Sequence, residues 1–250
     1  MRRHFTEVLC LTGYRILMAA AILLLAGIVP FFLKAGWPKK TKKSLLLKMI
    51  CSTLFIVVGV LSILLSQEFS RYAVWILCGL VFSWLGDFFL HVSSKLHFFL
   101  IGLFSFLTAH IFYVVAFCTA LQQTFPEAGF FNPYECLCIV VIVLFGAVAS
   151  RKLQIHPGRV TIPAFLYMCI LVTMMVKASS LGIRCLIAGT PLCGAAAAVL
   201  IVGSLSFVLS DATLAMLNFG PQKTFPLKCF NIGTYYGAQV LLASTILFFR

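Results

Sequence analysis

The chain has 250 residues, 62% of them apolar and only 10% charged, with a formal net charge of +13. A soluble domain carries about 25% charged residues, so an ordinary soluble enzyme, a disordered chain and a secreted disulfide scaffold are all excluded. The positive charge does not indicate nucleic acid: no extramembrane stretch is long enough to fold a binding domain, and basic residues beside membrane spans follow the positive-inside pattern. Runs such as Ile16–Leu33 also lack the polar–apolar alternation of a barrel strand. The remaining class is all-α: a polytopic transmembrane helix bundle, with residues 1–250 forming a single integral membrane domain.

A span needs about 20 apolar residues. Eight segments qualify: 14–33, 45–66, 71–92, 97–121, 134–150, 160–178, 190–218 and 230–249. The first follows Arg2 and Arg3, with its small-residue cluster Ala19–Ala21 near its start, and reads as an uncleaved span rather than a signal peptide. The breaks carry Gly36-Trp37-Pro38-Lys39-Lys40, Ser66-Gln67-Glu68, Ser93-Ser94-Lys95, Pro126-Glu127, Arg151-Lys152, Ser179–Arg184 and Gly220-Pro221-Gln222-Lys223. Loops 1, 3, 5 and 7 hold twelve of the 19 Lys and Arg, Lys48 and Lys228 among them. This places the odd loops in the cytoplasm and both termini outside. The ten cysteines show no C-x-x-C pair, and several lie within apolar runs (Cys51, Cys78, Cys118, Cys169), so they read as unpaired structural thiols. Short loops without an N-x-[ST] site point to a bacterial plasma membrane, or to the endoplasmic reticulum in a eukaryote.

The chain repeats a short pattern. Leu85-Gly86-Asp87-Phe88-Phe89-Leu90 ends span 3, and Leu209-Ser210-Asp211-Ala212-Thr213-Leu214 occupies the matching place in span 7, with the aspartates 124 residues apart. Four spans per half predict a parallel 4+4 internal repeat, 1–125 and 126–250. Of the six acidic residues, Glu7, Glu68, Glu127 and Glu135 fall at span ends, in loops or in the N-terminal segment and read as solvated, whereas the only two aspartates lie inside spans. A carboxylate in a bilayer costs about 2.5–3.5 kcal/mol on insertion scales and marks function by default. Asp87 and Asp211 both lie roughly 7–10 Å below the odd-loop boundary. They are therefore expected to share one cavity under the headgroups, leaving one acid and one base for cleavage through an oxocarbenium-like state.

Polar neighbours extend this site. Ser83 and His91 lie one helical turn either side of Asp87, and Asn218 lies at i+7 from Asp211. Gly102, Phe106, His110 and Tyr113 form one stripe of span 4, and Tyr235, Tyr236 and Gln239 cluster on span 8. Gly233 and Gly237 form a G-x-x-x-G expected to mark a close helix contact. Asp87, His91, His110 and Asp211 would be a plausible N/O ligand set, but no strong metal motif accompanies them, so neither metal nor cofactor is expected. Two other functions fit the same aspartates: a proton-coupled carrier, and a lipid-binding or structural membrane protein in which they only hold helices together.

Phe82-Ser83-x-x-Gly86-Asp87-x-x-Leu90, Gly102-Leu103, His110, Tyr113, Ser210-Asp211-x-Thr213 and Thr234-Tyr235-Tyr236-x-x-Gln239 resemble the YhhN-like family, which includes the lysoplasmalogenases. The likeness is specific in spans 3–4 and 7–8 and mainly hydrophobic elsewhere. Leu217-Asn218 stands before Phe219 where the family often has Asn-Lys, and His91 lies outside the pattern. The resemblance implies hydrolysis of the vinyl ether of a lysophospholipid (a lysoplasmalogen) to a fatty aldehyde and a glycerophospho-base. It implies Asp87 and Asp211 as the catalytic pair, with Ser83, His110, Tyr113, Tyr235, Tyr236, Gln239 and Asn218 holding substrate or water.

Overall fold

The computed structural model describes residues 2–189 and 193–249, with side chains from Cys10 onward. Its eight α-helices are α1 (Arg2–Ala35), α2 (Lys42–Ser66), α3 (Arg71–Val92), α4 (Leu96–Thr124), α5 (Pro133–Lys152), α6 (Thr161–Ala188), α7 (Cys193–Phe219) and α8 (Phe225–Ser244). Short 3-10 turns precede α6 and follow α8, and no strand occurs among the described residues. Polar caps start the helices where the sequence leaves an apolar run. Thr41 and Ser44 close a capping box on α2, Asn132 and Glu135 one on α5 behind Pro133, and Ser70 and Thr224 cap α3 and α8.

Six helices close a ring in the order α2, α3, α4, α6, α7, α8 and back to α2. Outside it, α1 lies chiefly on α2, and α5 on α6. Seven helices, α1 to α7, are long and apolar enough to cross a membrane, which makes the chain an integral multi-pass membrane protein. The eighth expected span, 230–249, is α8 and its trailing turn; it falls short of that apolar standard. It nevertheless runs the height of the bundle. Tyr235 at its middle reaches Asp87 near the end of α3, and Thr245 just past its end accepts a 2.6 Å hydrogen bond from Tyr72, the second residue of α3. Its polarity is turned inward: Asn231, Tyr235, Tyr236 and Gln239 are all buried.

Several expectations are corrected here. Span 6 does not end at 178: α6 continues through Ser179–Arg184 to Ala188. Lys177, within this longer helix, is buried in the interior, where Nζ donates to the Phe130 carbonyl at 2.7 Å and meets Glu135 Oε2 at 3.0 Å. Glu135 is therefore not solvated; it caps α5 and pins that helix to α6 through a buried ion pair. Residues 190–192 of the expected span 7 lie outside the described residues. Gly233 and Gly237 make no close helix contact, since an added Cβ at either would meet nothing within 4 Å. The tight approach is between α3 and α4 instead. A Cβ at Gly79 would come within 2.2 Å of the Tyr113 ring, and one at Gly86 within 2.5 Å of Phe106. None of the ten cysteines is in a disulfide.

Candidate functional site

Asp87 is 1% exposed and stands one and a half turns before the end of α3. Its Oδ1 faces Lys48 Nζ at 2.8 Å. Its Oδ2 accepts hydrogen bonds from Ser52 at 2.6 Å and from Tyr235 at 2.7 Å. Both carboxylate oxygens are thus engaged, one by a cation and the other by two hydroxyls. The network continues inward. Gln239 Nε2 donates to Tyr235 at 3.2 Å, Tyr113 donates to Gln239 Oε1 at 3.0 Å, and Ser83 lies 3.5 Å from the Tyr113 hydroxyl. Tyr236 contacts the Lys48 carbonyl at 3.3 Å and Ser52 at 3.4 Å, fixing the turn of α2 that supplies the cation. Five of the residues singled out beside Asp87 (Ser83, Tyr113, Tyr235, Tyr236, Gln239) therefore lie in its network.

Asp211 has a different setting. Its side chain is 10% exposed. Its Oδ2 accepts a short hydrogen bond from Tyr167 of α6 and lies 3.7 Å from His110 Nε2 of α4; Oδ1 is left clear. His110 Nε2 lies 2.9 Å from the Tyr167 oxygen. With the Tyr167 proton directed at Asp211, that oxygen accepts from Nε2–H of His110. His110 is fully buried, and Nδ1 has no hydrogen-bond partner. A buried polar atom without a partner is uncommon and calls for a functional account.

The two carboxylates do not form the directly coupled pair expected from the sequence. No hydrogen bond or ion pair joins them, because α3 and α7 are not neighbours in the ring. The path between them runs through aromatic rings. Tyr235 meets Phe106 and Phe207 edge-on at 6.0 and 5.7 Å, and Phe207 meets His110 at 4.7 Å. Each aspartate is held by the preceding ring helix and by the last helix of the other half: Asp87 by α2 and α8, Asp211 by α6 and α4.

One further expectation, that Asn218 joins the site, fails on geometry. The N/O ligand set is dispersed: His91 turns from Asp87 to Ser44 Oγ at 2.7 Å and to the Phe32 ring, and no group of three or more His, Cys, Asp or Glu is gathered among the described residues. Asn218 joins neither network; it lines a surface cleft of about 300 Å³ with Ser94, Phe99, Arg159 and Phe219.

Three residues of the two aspartate networks escaped the sequence reading. Lys48 was assigned to loop 1, yet it is 8% exposed inside α2. Its signal was a polar stripe, Ser44, Lys48 and Ser52, at four-residue spacing on an apolar helix. Ser52 belongs to the same stripe. Tyr167 had no such signal: it is one tyrosine in the apolar run of α6.

No curated protein and no solved structure matches the chain. The YhhN family model does, over residues 43–246, which takes in every helix from α2 to α8 and all of the residues in both aspartate networks. The chain belongs to the YhhN family.

Proposed function

We propose that the protein is a lysoplasmalogenase-like hydrolase that cleaves the vinyl ether bond of a lysophospholipid drawn from the membrane. The observation that carries this reading is the unequal pair of carboxylates, one saturated by Lys48, Ser52 and Tyr235, the other with a clear oxygen beside an imidazole with a free nitrogen. Family membership supports the same class of reaction.

The overall reaction consumes one water and gives an aldehyde and an alcohol. In the proposed sequence, Asp211 carries a proton on Oδ1 and delivers it to the vinyl carbon remote from the ether oxygen. The adjacent carbon becomes an oxocarbenium ion. Asp87, whose Oδ1 faces the Lys48 ammonium, stabilises this cation in a site walled by the rings of Phe106, Phe207 and Tyr235. Water adds to the cationic carbon as His110 Nδ1 takes its proton. The hemiacetal then collapses: His110 returns a proton to the departing glycerol oxygen, and Asp211 recovers one from the hemiacetal hydroxyl. Both acids have returned to their starting states.

Depth agrees with this chemistry. Asp87 and Asp211 lie five and eight residues before the odd-loop ends of their helices, roughly 8 and 12 Å along the axis, where the vinyl ether of a lysolipid would sit beneath its headgroup. A carrier would place its acids at the midplane.

The deciding experiment measures aldehyde released from lysoplasmenylethanolamine by detergent-purified protein, wild type beside Asp87→Asn and Asp211→Asn, each checked for folding by thermal melting. Activity in the wild type that is lost in both folded variants supports the mechanism. A folded but inactive wild type rejects the substrate, and active variants reject the site.

A further inference from the structure

Above Asp87, at the odd-loop end, three cations converge. Lys48 is buried beside the carboxylate, Lys228 is half-buried in the first turn of α8, and Lys40 is exposed in the loop before α2. All three lie within electrostatic range of His91, and Lys228 also of Asp87. Only Lys48 has a carboxylate partner. Lys40 Nζ is held by a backbone carbonyl, Leu90 O at 2.6 Å, and Lys228 Nζ reaches only Asn231 Oδ1 at 3.5 Å. Three lysines therefore face one carboxylate.

A second, independent observation points the same way. The N-termini of α2 and α8 meet at this rim, joined by the Trp37 and Phe225 rings at 5.9 Å. A helix N-terminus carries positive partial charge and favours acidic residues. Neither first turn has one, and lysines stand there instead: Lys42 and Lys43 on α2, Lys228 on α8. Desolvation, and then the Lys48 charge, push the Lys40 ammonium below the ordinary lysine value. Cations crowded onto two helix N-termini are an arrangement that an anion relieves.

We propose that Lys40, Lys48 and Lys228, with the N-termini of α2 and α8, form a phosphate-binding site that holds the phosphodiester of a lysophospholipid headgroup above Asp87. This deepens the reading above by assigning headgroup recognition to the Asp87 side of the ring. The three lysines descend from rim to interior, so a phosphate between Lys40 and Lys228 leaves the glycerol to pass Lys48 toward Asp87. Recognition then rests on the phosphate rather than on the base beyond it.

The test uses full-length protein in a neutral maltoside and two ligands that cannot be cleaved: a 1-O-alkyl lysophospholipid and the matching 1-O-alkylglycerol, which lacks phosphate. Because neither reacts, the outcome is independent of aldehyde release. The lysophospholipid should bind about tenfold more tightly than the alkylglycerol. Lys40→Gln and Lys228→Gln should each remove most of that difference without changing alkylglycerol binding, and Lys228→Arg should keep it. Equal affinities, or lysophospholipid binding indifferent to both Gln variants, would overturn the site. Competition by inorganic phosphate identifies the source of the anion. Displacement at millimolar phosphate, sensitive to the same lysines, makes it a general phosphate site; resistance ties it to the lipid headgroup.

Discussion

Asp87 and Asp211 share a pattern, a depth and an orientation, yet their surroundings differ. Asp87 is locked: a buried cation and two hydroxyls engage both of its oxygens. Asp211 is held by hydrogen bonding on one oxygen, beside a histidine whose second nitrogen is unclaimed. A group that must keep its charge needs a fixed counter-charge, whereas a group that must exchange a proton needs a free lone pair and a nearby relay. On the proposed reading, similar aspartate motifs in one ring are divided between electrostatics and proton transfer by what the neighbouring helices supply: lysine and serine from α2, tyrosine from α6.

The comparison can be broken most forcefully at the carboxylates. Asp211→Asn should lower kcat for aldehyde release by about 10²–10⁴-fold while leaving the melting temperature near that of the wild type. Asp87→Asn should also abolish activity, but with a clear loss of stability, because it strands Lys48. If the two variants melt alike, the assigned division of roles is wrong.

Next in size is Lys48→Met. Removing one partner of a buried ion pair costs about 3–5 kcal/mol, so this variant should melt well below the wild type. Adding Asp87→Asn should restore most of the lost stability and none of the activity. A double variant no more stable than the single one would show that the pair does not matter as a pair.

Gly79→Ala probes the scaffold under the Asp87 network. Its Cβ would press on the Tyr113 ring, and such overpacking costs about 1–3 kcal/mol. A normal melt would mean that Tyr113 can move aside. Tyr167→Phe sharpens the other half: it removes the hydrogen bond to Asp211 at a cost of about 0.5–1.5 kcal/mol, and the pH profile of kcat should shift while KM stays constant. Smallest of all, Asn218→Ala should change stability by less than about 0.5 kcal/mol, with activity unaltered, because Asn218 belongs to neither network.

The bundle was legible because apolar runs and polar caps are local properties. α3 occupies 71–92, as expected from Ser66–Glu68 and Ser93–Lys95 at its borders. Span 6 misled because Ser179–Arg184 reads as a loop, whereas the helix runs on through it beside Lys177, whose counter-charge, Glu135, lies forty-two residues away. Lys48 misled for the same reason: its position near a basic loop hides a partner on the next helix. The aspartates were legible because acids in lipid are costly wherever they lie. Their separation was not, because it depends on ring order, which no single helix encodes. The G-x-x-x-G of α8 pointed to a contact made instead by the glycines of α3, since a small residue permits close approach but does not choose the partner.

The inward polarity of α8 bears on how the protein is made. A segment carrying Asn231, Tyr235, Tyr236 and Gln239 on its buried side partitions poorly into lipid on its own. It leaves the ribosome after seven more apolar helices, when the slot between α2 and α7 already exists. That slot offers Asp87, Ser52 and the Ser210 carbonyl as ready hydrogen-bond partners. Insertion of α8 therefore draws on hydrogen-bond partners that the helices before it supply, and a chain lacking α8 would leave Asp87 without its Tyr235 partner.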